Sequence, residues 1–448
     1  MALNDISPLT KWSLCCLALL LSLGCARSQP DHVVLIVIDT LRADHLGLYG
    51  YPRPTSPNLD SWARRGVVFD QAYSSSPWTL PTFGSILTGL VPSRHGAGER
   101  ARDSGKRWKR APLRDSVATL PEALAASGWQ TAAVVSNPFL REHFGLSRGF
   151  QIYDYERGRT ATAVIDRSLE LIEQLRGRPF LLMVHLIDPH LPYRAPKPWR
   201  GTFSNDSAEQ EIGKSRKEII ATIDDLSADE RQAIIDRYDE EVLFVDHEVG
   251  RFLDALERQG LLDDSLIALT ADHGEELFDR GYFEHGHAMH QELLRVPLIL
   301  WSSNLEPRRE SAPFSLVDLA QTLYAATQAK PSTSLPGRSR WASIRDANLE
   351  RNSPILAENT LWSAEQKALV IWPYKLIVHE KSGTRELYDL GNDPMEQNDL
   401  ARTQSDLADR LQQELLDRLA ASESESDRES LAISEETEQE LRSLGYLD

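Results

Sequence analysis

Hydrophobic positions recur along the chain in two distinct rhythms. His32–Ile38 (HVVLIVI) is a continuous, β-branched apolar run of the kind that forms a central parallel strand covered on both faces, and it ends in Asp39. The pattern repeats downstream: residues 131–135 end near Ser136-Asn137, residues 179–186 near Asp188-Pro189-His190, and residues 266–270 in Asp272-His273. Four predicted strands thus deliver polar residues to one edge. Open α/β sheets bind ligands outside the carboxyl ends of their strands, so a carboxylate at Asp39 is placed for chemistry, whereas inside the strand it would be very costly. A helix N-cap is the competing role for Asp39.

Helical rhythm fills the intervals. Residues 120–127 and 163–175 read as helices, and Ser227-Ala-Asp-Glu230 is a capping box. Beyond it Ile234, Tyr238, Val242, Val245, Val249, Phe252 and Leu256 recur at helical spacing as far as Gly260, which predicts one long amphipathic helix. The alternation predicts an α/β fold with a mixed, mostly parallel sheet flanked by helices. Residues 201–226 are polar and read as a surface excursion. Residues 330–340 (KPSTSLPGRSR) mark a shift into a smaller C-terminal α+β region, whose strand-like pieces at 355–358, 368–372, 375–379 and 386–389 predict a small antiparallel sheet. The expected division is 1–25 signal segment, 31–340 main domain, 341–420 C-terminal subdomain, and 421–448 acidic linker with a short terminal helix.

Composition sharpens this picture in two places. The chain of 448 residues carries 49 basic and 67 acidic side chains, a net charge of −18, which disfavours nucleic acid as a partner. Cys15, Cys16 and Cys25 are the only cysteines, so the folded body holds no disulfide, cysteine nucleophile or cysteine metal site. Residues 11–24 place a lysine before a short apolar run, as in a secretory signal. Ser22-Leu-Gly24-Cys25 resembles a bacterial lipobox, which implies lipidation of Cys25 and a membrane-tethered protein of the bacterial cell envelope. An uncleaved anchor or a plain signal peptide is the alternative.

The candidate chemistry centres on residues 74–96 (SSSPWTLPTFGSILTGLVPSRHG), where Thr79 precedes Pro81 at a predicted helix N-terminus. A bound anion there would meet the positive end of the helix dipole. Spacing alone fits Thr79 as a nucleophile and as a plain N-cap equally well. Asp272-His273 supplies carboxylate and imidazole ligands, and Asp39, Thr79, Asp272 and His273 together form a candidate divalent-metal set. Such a metal would lower the pKa of the threonine hydroxyl.

The segment 79–89 resembles the signature of sulfatases in the alkaline phosphatase superfamily, in which a cysteine or serine opens C-x-P-S-R and Thr-Gly closes it. IDTLRADHLGLYGY at 38–51, Asp188-Pro-His-Leu-Pro-Tyr193, Asp272-His-Gly274, EHGHAMHQELLRVPLI at 284–299 and ELYDLGNDPMEQNDLA at 386–401 look like further motifs of that family, in its order, over nearly all of the mature chain. In the family pattern the nucleophile lies nine residues before the threonine of Thr-Gly, which Thr79 satisfies against Thr88 and Ser75 does not. The resemblance implies an alkaline phosphatase-like fold and hydrolysis of a sulfate or phosphate ester through a covalent intermediate. His190 and His287 would assist the leaving group, Arg94, His95 and His285 would contact substrate, and Asp44 would orient the first motif or touch metal. The implied partner is an anionic ester, on a glycan, lipid or small molecule. His290 reads as packing, and His185, inside an apolar strand, as a satisfied core residue.

This chain departs from that pattern at three positions. Thr79 cannot become formylglycine, Phe83 replaces the signature arginine, and Thr40 replaces the second aspartate of the usual pair. Fewer carboxylates around a histidine shift the expected metal from calcium toward manganese or zinc. A threonine nucleophile is similar to superfamily members that transfer phosphoryl groups, so a phosphodiesterase or a phosphoryl transferase acting on envelope lipids or glycans is a second expectation. An inactive binding protein is a third. The basic run 100–110 (RARDSGKRWKR) could embrace an anionic substrate or lipid headgroups, or simply be solvated.

Overall fold

The computed structural model describes residues 29–99, 110–204, 216–327, 329, 335–422 and 435–443. The signal segment with Cys25, the basic run apart from Arg110, and the acidic linker lie outside the described residues. None of the described helices is long and apolar enough to cross a membrane.

An eight-stranded sheet forms the centre of the molecule. Its strands in chain order are β1 (His32–Ile38), β2 (Val67–Phe69), β3 (Gln130–Val135), β4 (Ile152–Tyr155), β5 (Phe180–Leu186), β6 (Ser265–Ala271), β7 (Leu298–Trp301) and β8 (Arg308–Glu310). They lie side by side in the order β8-β2-β7-β6-β1-β5-β3-β4. The run β6-β1-β5-β3-β4 is wholly parallel, and β7 joins it antiparallel. β1 lies between β5 and β6 in register, with Ile38 opposite both Leu186 and Ala271. The ends of these strands, and hence Asp39, Ile187 and Asp272, therefore emerge at one level.

The four apolar runs of the sequence are central strands buried on both faces; every residue of β5 and β6 is buried. The helix Ala161–Leu175 packs on β5 and on the long helix Ala228–Arg258. The latter starts at the expected capping box, with Ser227 accepting from the Glu230 N–H and the Glu230 carboxylate accepting from the Ser227 N–H. The short strands β2 and β4 were not legible in the pattern, and Arg295–Val296, just before β7, pair with Ala72–Tyr73 in a separate small sheet.

Four antiparallel strands follow, Ile355–Glu358, Gln366–Ile371, Tyr374–His379 and Arg385–Asp389, as the short apolar pieces predicted. The helix Ser405–Ser422 covers one face. The other face packs Ala357, Ala368, Val370 and Ile377 against Tyr73, Met289 and Leu294 of the main body. A buried ion pair, Lys375 Nζ to Glu396 Oε1 at 2.7 Å, reinforces this junction, since Glu396 also accepts from Arg280 and from the Gln291 N–H.

Candidate active site

Thr79 opens the helix Thr79–Thr88, with Trp78 in the N-cap position in extended geometry (φ −160°). No side chain caps this helix, so the Thr79 hydroxyl is not spent on a cap. The indole of the fully buried Trp78 donates to the Asn359 carbonyl at 2.7 Å, which ties the start of the helix to the C-terminal sheet. Gly89 ends the helix with φ +73°, where a Cβ would stand 2.5 Å from the Pro336 carbonyl oxygen; only glycine fits there.

Asp39 follows β1 directly, and Thr40 then turns with φ +55°, a strained setting for a β-branched residue. Two partners hold that turn: Tyr238 O–H donates to the Thr40 carbonyl at 2.8 Å, and the Thr40 N–H donates to Asp272 Oδ1 at 3.3 Å. Asp272 Oδ1 also accepts from the His273 N–H at 2.9 Å. His273 Nδ1 faces the Gly274 carbonyl at 2.9 Å, so Nδ1 carries the proton and Nε2 keeps its lone pair.

Thr79 Oγ1 lies 3.4 Å from His273 Nε2, and His273 Nε2 lies 3.6 Å from Asp39 Oδ1 and 3.4 Å from Asp272 Oδ2. Ligand atoms of Asp39, Asp272 and His273 all fall within 4.8 Å of one another, and all three residues are fully buried. Among the described residues, Asp39 Oδ1 and Asp272 Oδ2 have no hydrogen-bond partner. Two orphaned carboxylate oxygens beside an imidazole lone pair are a donor set that suits a divalent cation. The Asp272 carboxyl is pushed well up, first by burial and then by the charge of Asp39. Burial also works to raise Asp39, but hydrogen bonding to His185 and the positive field of the neighbouring imidazoles outweigh it and hold Asp39 at about 2. Burial lowers His273 to about 4, against the pull of Asp39.

A further group of imidazoles extends from His273. The His285 ring sits 4.4 Å from that of His273 and 5.2 Å from that of His190. His190 Nδ1 faces the Leu191 carbonyl at 2.7 Å, and His285 Nδ1 faces Glu275 Oε1 at 2.8 Å. His287 stands further out, its Nε2 on Glu276 Oε2 at 2.7 Å and its ring against Tyr282. Arg94 is exposed at the end of the four-residue helix Pro92–His95. His95 is buried beneath the helix of Thr79 at Gly84 and Ser85, with Nε2 3.1 Å from Ser85 Oγ, and burial lowers its pKa to about 3. Asp44 pairs with Arg42, and His290 with Glu386.

His185 differs from the sequence reading. It is buried, but it is no satisfied core histidine: its Nε2 lies 3.4 Å from Asp39 Oδ2, and its ring meets Phe83 edge-on. A histidine inside an apolar strand gives no sign of which neighbour it will face. Asn137 and Glu275 also escaped sequence reasoning as site residues. Asn137 ends a predicted strand as Asp39 does, and that position was the available signal.

A family model described as Sulfatase matches residues 31–329. An arylsulfatase of Clostridium perfringens is 24% identical over 450 residues, covering 84% of this chain and 91% of that protein. Among solved structures, BT4656 in complex with its substrate D-glucosamine-2-N,6-O-disulfate superposes with a TM-score of 0.70 at 19% identity, covering 88% of this chain and 97% of that one. The phosphonate monoester hydrolase of Agrobacterium radiobacter superposes with a TM-score of 0.69 at 18% identity, covering 90% and 100%.

Proposed function

Because the chain belongs to the sulfatase family, and so to the hydrolases of ester bonds, we propose that it is a metal-dependent hydrolase of sulfate or phosphate esters with Thr79 as nucleophile. The observation that carries this reading is the meeting of Thr79 Oγ1 with His273 beside the orphaned oxygens of Asp39 and Asp272. A divalent cation held by Asp39, Asp272 and His273 would lower the pKa of the Thr79 hydroxyl and offset charge on the ester oxygens; manganese, zinc and calcium are the candidates.

The rest is the work of the chain's own side chains. Thr79 Oγ gives its proton to solvent water and forms a bond to sulfur or phosphorus, while the bond to the leaving oxygen breaks with its electron pair. His190 delivers a proton to that oxygen, with His285 beside it and His287 as an outer contact to the leaving group. Water then releases the acid from Thr79. Since threonine carries no aldehyde hydrate, the covalent ester must be cleaved at sulfur or phosphorus, a chemistry equally open to phosphodiesters. That specific feature favours a second reading, a phosphodiesterase or phosphoryl transferase acting on envelope lipids or glycans. In either case the lipobox-like segment supports attachment through Cys25 to a bacterial envelope membrane.

The test is turnover of 4-nitrophenyl sulfate, 4-nitrophenyl phosphate and bis-4-nitrophenyl phosphate with and without Mn²⁺, in wild type and Thr79→Ala. Metal-dependent turnover reduced at least about 10³-fold by the substitution is expected. Undiminished turnover by Thr79→Ala would remove the nucleophile assignment.

A further inference from the structure

Asn137 stands where β3 gives way to its loop, fully buried. Its Oδ1 accepts from the Phe139 N–H at 2.9 Å, which fixes which end of the carboxamide faces the site. Nδ2 then points inward with two N–H bonds and two oxygens to receive them: Asp39 Oδ2 at 2.6 Å and Thr79 Oγ1 at 3.4 Å. A neutral amide thus touches both the candidate nucleophile and the carboxylate beside it.

We propose that Asn137 is a catalytic residue, donating an N–H to the Thr79 oxygen as that oxygen loses its proton and attacks the ester. The proposal rests on the reading of Thr79 as the nucleophile. Three physical points support it. A hydrogen bond to an oxygen gaining negative charge shortens and roughly doubles in strength, so a long contact in the resting site tightens during the reaction. A carboxamide does not titrate, so the donor is present at every working pH. The amide is also preorganised: the Phe139 N–H holds one end, and Asp39 holds the nitrogen, so little reorganisation accompanies charge development. Asp39 gains from the same contact, because its Oδ2 is shared between Asn137 and His185 while Oδ1 stays unengaged.

Asn137→Asp keeps the Oδ1 acceptor for the Phe139 N–H, and with it the turn, while removing the donor. Asn137→Ala removes the whole group without adding charge, so the pair covers a failure of either variant to fold. Both are measured beside Thr79→Ala at saturating Mn²⁺ with the 4-nitrophenyl ester that wild type turns over. The covalent ester on Thr79 is captured by acid quench and counted by mass spectrometry. Removal of one preorganised donor is expected to lower kcat about 10²-fold, with KM changed far less, and to reduce the trapped ester in parallel. If Thr79→Ala is inactive and either folded Asn137 variant keeps kcat within about twofold of wild type, a change well under one decade, the role of Asn137 is overturned and the Thr79 reading stands. If Thr79→Ala turns over like wild type, both are overturned.

Discussion

Removal of the cation should reveal how unfavourable the empty carboxylate pair is. Asp39 and Asp272 are fully buried, with ligand oxygens no more than 4.8 Å apart. Two unit charges at that separation repel by about 3.5 kcal/mol at an effective dielectric of about 20. The chelated protein can relieve this by holding a proton on Asp272, whose carboxyl is raised by burial and by Asp39. The sign follows from that direction. A carboxyl raised in the folded state favours folding at low pH and withdraws that contribution as pH climbs through its folded value. Chelated wild type should therefore lose stability with rising pH, and a cation should restore it, by about 2.7 kcal/mol at one hundred times its dissociation constant.

Asp272→Asn separates this from ordinary damage to the fold. The substitution keeps Oδ1 as acceptor for the Thr40 and His273 N–H groups but deletes the charge. At pH 8 in chelator, Asp272→Asn should be more stable than chelated wild type by about 1 to 3 kcal/mol, a part of the repulsion just estimated. In Mn²⁺ the order should reverse, because the variant gains little from the metal. Urea denaturation of both proteins, with EDTA and with Mn²⁺, reads all four states. A chelated variant less stable than chelated wild type, or an equal gain from Mn²⁺ in both, would refute the carboxylate-pair account.

Two further outcomes are expected. Asp246 is fully buried on the long helix and accepts from Asn58 N at 3.0 Å, Asn58 Nδ2 at 2.8 Å and Leu59 N at 2.7 Å; even so, burial lifts its carboxyl to about 6. Its folded value is raised, so its contribution is complete below about pH 4 and lost as pH rises through 6, about 3 kcal/mol in all. Relative to wild type, Asp246→Asn should gain stability by that amount between pH 4 and 7 in urea titrations; a difference independent of pH would contradict this. Cys25→Ala, expressed from the full chain, should move the protein from the membrane fraction to the soluble fraction, and unchanged membrane association would dispose of the lipid anchor.

Most of the sheet was legible because strands buried on both faces must be apolar throughout, and a continuous run such as 180–186 admits few other readings. β2 and β4 were not, because they are three and four residues long and their places are set by neighbours. At the site, Asp39, Asp272 and His273 were legible because metal-ligand chemistry marks them and each follows an apolar run. Thr79 required the family resemblance, since spacing fitted an N-cap equally well, and the structure places Trp78 in that position instead. Asn137 and His185 were hidden for a different reason. Their roles depend on contacts across strands 98 and 146 residues from Asp39 in the chain, and neither residue type announces a ligand.

The join between the Thr79 segment and the C-terminal sheet bears on how such a chain can be recombined. Asn359, with φ +75°, turns its carbonyl toward Ser76 Oγ and Trp78 Nε1, while the Glu358 N–H donates to the Ser75 carbonyl. A chain cut near residue 340 would retain Thr79, Asp39, Asn137, Asp272 and His273. It would also strand three buried polar groups immediately before Thr79, each at a cost of about 1 to 3 kcal/mol. Grafting a foreign C-terminal region onto this body therefore transplants part of the scaffold of the proposed nucleophile, and a chimera would have to match residues 358–359 to residues 75–78 before any gain in specificity could appear.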